Sequence, residues 1–172
     1  MRKGFDARYI TKKGAKLVQR CGTRDPFKIA KEIGINVMFV DDFEKLKGVY
    51  RVIKRNRWIF INSNLPERMQ RIVCAHELGH DQLHRVLAKG DGLMEFVLYD
   101  MDSRPEFEAN VLASQILLPD DEVIEHIYNG CDAEQIARIM NSDINLVALK
   151  VASLNQQGYG FRQIEHNSNF LK

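Results

Sequence analysis

A chain of 172 residues with 45% hydrophobic and 28% charged side chains has the composition of one globular domain, long enough to bury a core without disulfide or metal staples. No apolar run reaches the roughly 18 residues of a membrane span. The basic start MRKGFDARYITKKGAK has no apolar core behind it, which argues against export and for a cytoplasmic protein.

The net charge of +2 hides an asymmetry. Residues 1–57 hold 16 Lys and Arg against 6 Asp and Glu, whereas residues 120–172 hold 4 against 8. No aromatic interleaving accompanies the basic residues, so they read as a solvated helix face and a charged hairpin turn rather than a nucleic-acid surface. Cys21, Cys74 and Cys131 form no C-x-x-C pair, and free thiols in a reducing compartment are expected.

Residues 6–20 predict an amphipathic helix, with Ala7, Ile10, Gly14, Leu17 and Val18 on one face and Gly22 as its stop. Asp25-Pro26 opens a short second helix that ends by Gly34. INVMFV (35–40) reads as a strand, and GVYRVI (48–53) with RWIFIN (57–62) as a β-hairpin about the polar KRNR. Asn64 as cap, Pro66 in the first turn and Glu67 predict a helix over 66–87. Residues 88–105 read as irregular, although EFVLYD (95–100) has strand composition. Helices are predicted again at 106–117, ending at Pro119, and at 120–128, 133–140 and 144–158, before a polar tail.

The chemistry lies in His76-Glu77-Leu78-Gly79-His80, an H-E-x-x-H motif inside a predicted helix. Residues i and i+4 share a helical face, so both imidazoles can reach one Zn²⁺, while Glu77 stands beside the metal as a proton acceptor rather than a ligand. A catalytic zinc site takes three protein ligands and an open position. His84 lies about 12 Å along the axis from His76, too far for one metal to reach both, and reads as a supporting or packing residue. The better third ligand is Glu106 on the following helix, where Ala109, on the same face, allows close approach and Glu108 points elsewhere. Ile72, Val73 and Leu83 with Leu112 and Ile116 would pack the two helices together. Zinc would lower the pKa of a water towards ~7, with Glu77 taking the proton. Tyr99, Arg104, His84 and His126 are open candidates for the oxyanion donor.

HELGHDQLH (76–84) followed by EFEANVLASQILLP (106–119) resembles the ImmA/IrrE metallopeptidases, whose signature is H-E-[ILM]-[GS]-H with a second helix E-x-x-A-N-x-F-A-x-x-L-L-x-P. Leu112 replaces the usual Phe and Leu118 the common Met, both conservative changes. The resemblance implies an α+β fold: a small gluzincin-like core with a short antiparallel sheet, a zinc helix and a helical C-terminal extension. It divides a single domain into an N-terminal helix (1–24), a catalytic core (25–119) and the extension with its tail (120–172). It implies His76, His80 and Glu106 as zinc ligands and Glu77 as general base. It also implies a zinc endopeptidase of a phage or mobile element that cleaves a helix-turn-helix repressor. In related peptidases a strand before the zinc helix pairs with the extended substrate, and 57–62 is the strand expected to do so.

Two rival readings remain. AEQIARIMNSDINLVALKVASL (133–154) has the rhythm of a DNA-binding helix-turn-helix, but its second helix offers only Asn145 and Lys150 to bases or phosphates. A non-catalytic protein that binds a repressor could also carry zinc, but such a site has no use for Glu77 and usually closes with a fourth ligand, often Cys. Cys74, two residues before His76, falls on another side of the helix.

Overall fold

The computed structural model describes residues 7–86 and 104–162. Its elements follow the sequence closely: α1 (Arg8–Cys21), α2 (Pro26–Glu32), β1 (Ile35–Val40), β2 (Gly48–Ile53), β3 (Asn56–Asn62), α3 (Glu67–His84), then α4 (Arg104–Leu117), α5 (Asp120–Tyr128), α6 (Ala133–Ile139) and α7 (Ile144–Gln156). The candidate strand at 95–100 lies outside the described residues. No described helix is long and apolar enough to cross a membrane.

The first helices start and stop where their chemistry says. Gly22 takes φ 64° at the end of α1, a left-handed turn that glycine adopts without a Cβ penalty. Asp25 caps α2 by accepting from the N–H groups of Phe27 and Lys28, with Pro26 in the first turn. The hairpin turn is a two-residue loop of Lys54 and Arg55, at φ 48° and 68°, the primed turn that matches strand twist.

The sheet is mixed rather than wholly antiparallel. Its order is β1-β3-β2, with β1 parallel to β3 and β2 antiparallel to it. After β1 the chain crosses to the far edge, runs back as β2, and returns through the middle as β3. This overturns the expectation that 57–62 offers an edge to a substrate. β3 is paired on both sides, from Ile35↔Arg57 to Val40↔Asn62 with β1 and from Gly48↔Ile61 to Ile53↔Asn56 with β2. Among the described residues, the strand next to α3 that is bonded on one side only is β2.

Asn64 is not the cap of α3. The residue before that helix is Pro66, with no side-chain cap. The Asn64 amide instead donates to the carbonyl of Asp41, while Asn62 donates to the carbonyls of Phe43 and Leu46. The two asparagines tie the 41–47 loop to the head of α3, a tertiary use that local sequence does not reveal.

α3 runs through the centre of the molecule, buried from Ile72 to Asp81. One side meets the sheet; the other meets α4, which is buried from Ala109 to Ile116. α1 and α7 close over α4, with Thr11 and Ser153 hydroxyls 2.9 Å apart. Asn145 and Lys150 of α7 are both buried, so neither is offered to a nucleic-acid groove.

Lys150 is completely buried, donates to Gln115 Oε1 at 2.6 Å and pairs with Asp120. Burial pushes its ammonium down to about 8 from an ordinary 10.5, against the pull of Asp120. Between these values the unfolded chain holds a proton that the folded chain has released, so this residue makes stability rise with pH across that window. Lys150→Met removes the titrating group at similar volume. The difference in unfolding free energy, wild type minus variant, is expected to grow by about 3 kcal/mol from below pH 8 to above pH 10.5. Urea midpoints of both proteins at the two extremes read it; a constant difference contradicts it.

Candidate metal centre

The His76 and His80 rings project from one face of α3, as their i, i+4 spacing requires, and Glu106 reaches them from the first turn of α4. Their Nε2 atoms are 3.0 Å apart. Glu106 Oε2 is 3.0 Å from His76 Nε2, and Glu106 Oε1 is 3.2 Å from His80 Nε2. All three residues are buried, and they form a group whose donor atoms could hold a metal ion. Two donors about 2.0–2.1 Å from a tetrahedral zinc stand roughly 3.3 Å apart, so the separations match such an ion. The donor chemistry fits as well, because Glu106 Oε1 is buried without a hydrogen-bond partner, a costly state for a carboxylate oxygen unless a cation satisfies it.

Gly79 sets the spacing of the two helices. A Cβ there would lie 2.7 Å from Ala109 Cα and 2.9 Å from the Ala109 carbonyl oxygen. Only glycine against a small residue allows α3 and α4 this close, and the closeness brings Glu106 within reach of the imidazoles. Gly79→Val is expected to cost about 1–3 kcal/mol through overpacking and to weaken metal binding by separating the ligands. Thermal unfolding with and without zinc tests this. A variant of wild-type stability and wild-type zinc affinity would show that the contact does not matter.

Glu77 is 3% exposed and stands next to His76 on the same helix turn, against β2. The backbone N–H of Tyr50 donates to its carboxylate, while Oε2 is buried with no partner. Burial pushes this carboxyl up to about 7; His76 opposes the rise, Glu106 adds to it and the Tyr50 N–H opposes it. Glu106 itself is held below the usual carboxylate range, because the two imidazoles outweigh its burial. Burial holds His80 below the usual imidazole range against the pull of Glu106. At His76, which also faces Glu77 and accepts the company of Asn110, the carboxylates outweigh burial and the direction is upward.

Supporting contacts surround the group. Asn110 Oδ1 is 2.8 Å from His76 Nδ1, so a ring proton there donates to the amide and leaves Nε2 free for a cation. His84 takes no part in the donor group: its Nδ1 is 3.2 Å from His80 Nδ1, and its Nε2 is 3.0 Å from Glu108 Oε2. Arg104 Nε donates to Glu108. Tyr99 lies outside the described residues.

One cluster was missed by sequence reading. Asp81, with a fully buried side chain, accepts from the Tyr50 hydroxyl at 2.8 Å, from Arg57 Nη1 at 3.1 Å to both oxygens, from Gln82 at 2.6 Å and from Arg85 at 2.9 Å. Arg57 also donates to the Ile33 carbonyl at the end of α2. A polar residue after the H-E-x-x-H motif reads as an exposed position; only the sheet packed above it shows otherwise.

The IrrE N-terminal-like domain family of peptidases, Peptidase M78, matches residues 30–149, from α2 to the middle of α7. The chain belongs to that family. A relative in Bacillus phage phi105, an immunity region protein 2, is 36% identical over 135 residues, which cover 78% of this chain and 84% of the phage protein. The family match takes in every residue of the His76, His80, Glu77 and Glu106 group, and also Asp81, His84, Glu108 and Asn110.

Proposed function

We propose that this M78 family member is a cytoplasmic zinc-dependent endopeptidase with a narrow protein substrate, a helix-turn-helix repressor of a phage or other mobile element. The observation that carries the catalytic part is Glu77 Oε2, a buried carboxylate oxygen without a partner beside three metal-donor side chains. The immunity-region relative supports the choice of a repressor.

His76, His80 and Glu106 would hold the ion. When bound, zinc supplies a Lewis acid that polarises a peptide carbonyl and lowers the pKa of water towards ~7. Glu77 accepts the proton at Oε2, and its other oxygen stays anchored by the Tyr50 N–H. The same carboxyl then returns the proton to the leaving amine.

The sheet register supports a track for the substrate along β2. Asn62 N–H donates to the Lys47 carbonyl, and bonded pairs alternate along an antiparallel ladder. Gly48, Tyr50 and Val52 therefore turn their N–H and C=O groups away from β3. The Tyr50 N–H reaching Glu77 fits this alternation. An extended peptide added to that side of β2 would pass its carbonyls over the Glu77 carboxylate. Gly48 lets β2 lie close against α3 and Glu77: a Cβ there would meet Val73 Cγ1 at 2.3 Å.

Incubation with the repressor encoded beside this gene, and with casein as a control, tests the proposal. Cleavage of the repressor that stops on chelation, with casein spared, is expected. Tight stoichiometric binding of the repressor with no cleavage at any zinc level would replace the enzyme with a non-catalytic regulator.

A further inference from the structure

We infer that His84 is a positioning residue that fixes the ring tautomer of His80, acting as the middle link of a hydrogen-bonded chain from Arg104 and Glu108 to the metal group. The inference rests on the zinc-site reading above.

With His84 neutral, the direction of every bond follows from the outer end. Arg104 Nε donates to Glu108 Oε1, and an ionised carboxylate can only accept. Glu108 Oε2 lies 3.0 Å from His84 Nε2, so that nitrogen carries a proton and donates. A neutral His84 then has a bare Nδ1, which must accept from its neighbour. The neighbour is His80 Nδ1 at 3.2 Å, so His80 holds its proton on Nδ1. Its Nε2, facing His76 and Glu106, is left with a lone pair aimed at the metal position.

His84 also holds the ring in place. The His80 and His84 ring centroids are 5.4 Å apart at an interplanar angle of 53°. The side chain of His84 is 9% exposed and that of Glu108 14%, so little water competes for these bonds. His76 receives the same service from the Asn110 amide. The two ligands are thus oriented by different chemical groups, an amide for one and a carboxylate-backed imidazole for the other. The residue sits eight positions after His76 because two helical turns carry it past the metal and against the back of the second ligand.

The test uses the full-length protein with two substitutions. His84→Phe keeps a flat ring against His80 but removes the acceptor. His84→Gln offers an amide oxygen to His80 Nδ1–H and an amide N–H to Glu108. Zinc affinity is measured by competition with a chromogenic chelator, and the cobalt-substituted proteins are compared by visible absorption. Thermal unfolding of the chelated proteins reads the fold separately. His84→Phe is expected to weaken zinc about 10- to 100-fold and to change the cobalt bands, with the chelated protein unfolding near wild type. His84→Gln is expected to recover most of the affinity. Wild-type zinc affinity in His84→Phe, or equal losses in both variants, overturns the positioning role while leaving the metal site intact. A wild type that binds neither zinc nor cobalt overturns the metal-site reading itself, and this inference with it.

Discussion

Glu77→Gln is expected to lower the rate of repressor cleavage by about 10²–10⁴-fold, the usual worth of a positioned general base, while zinc content stays at the wild-type level. The separation of the two effects follows from the geometry. Glu77 is not among the three side chains grouped around the metal position, so its loss removes no ligand. Glutamine keeps an oxygen that can accept from the Tyr50 N–H, and β2 should stay in place. What disappears is the proton-accepting capacity of Oε2, the atom left without a partner in the buried site. Removal of one buried acid is expected to relieve the fold slightly, since burial already pushes this carboxyl up to about 7. Cleavage by Glu77→Gln at the wild-type rate would show that another group takes the proton.

The second large effect is on stability. Asp81→Ala is expected to cost about 3–5 kcal/mol, because it strips the partner from a buried phenol and from a guanidinium that is mostly enclosed. For a domain of this size that corresponds to a fall of roughly 10 °C in Tm. Asp81 joins four parts of the fold: its own helix α3, Tyr50 on β2, Arg57 on β3 and, through Arg57, the Ile33 carbonyl after α2. The loss should therefore appear equally in chelated and zinc-loaded protein. Asp81→Asn, which retains an acceptor for Tyr50, should fall between the two. A variant that unfolds within a degree or two of wild type would mean that water replaces the carboxylate without cost.

The parts of this protein that were legible in its sequence are those set by local chemistry. The i, i+4 spacing of His76 and His80 required a helix, and Asp25-Pro26 and Gly22 marked helix ends. The Glu106 helix could be chosen over His84 because eight residues of helix outrun a single metal. The family resemblance pointed the same way, and the match over 30–149 places the chain in that family. What the sequence hid was tertiary. The hairpin pattern identified 57–62 as a strand but could not say that β1 would lie along its other side and turn it into the middle of the sheet. Asn64 had the look of a cap, yet a carbonyl brought near from residue 41 claims its amide. Asp81, Asn110 and His84 are polar residues at helical positions whose meaning depends on what packs against them: the sheet in the first case, the opposing metal-site helix or ring in the others. Gly79 is the exception that a closer reading of size could have caught, since a glycine in mid-helix weakens the helix and implies a neighbour that needs the room.

The central claim is that His76, His80 and Glu106 bind one zinc ion whose chemistry Glu77 serves. Elemental analysis of purified wild type, His80→Ala, Glu106→Ala and Glu77→Gln, each first confirmed as folded by circular dichroism, tests it most directly. One zinc per chain is predicted in the wild type and Glu77→Gln, and substoichiometric zinc in the two ligand variants. Equal zinc in wild type and His80→Ala would contradict the account.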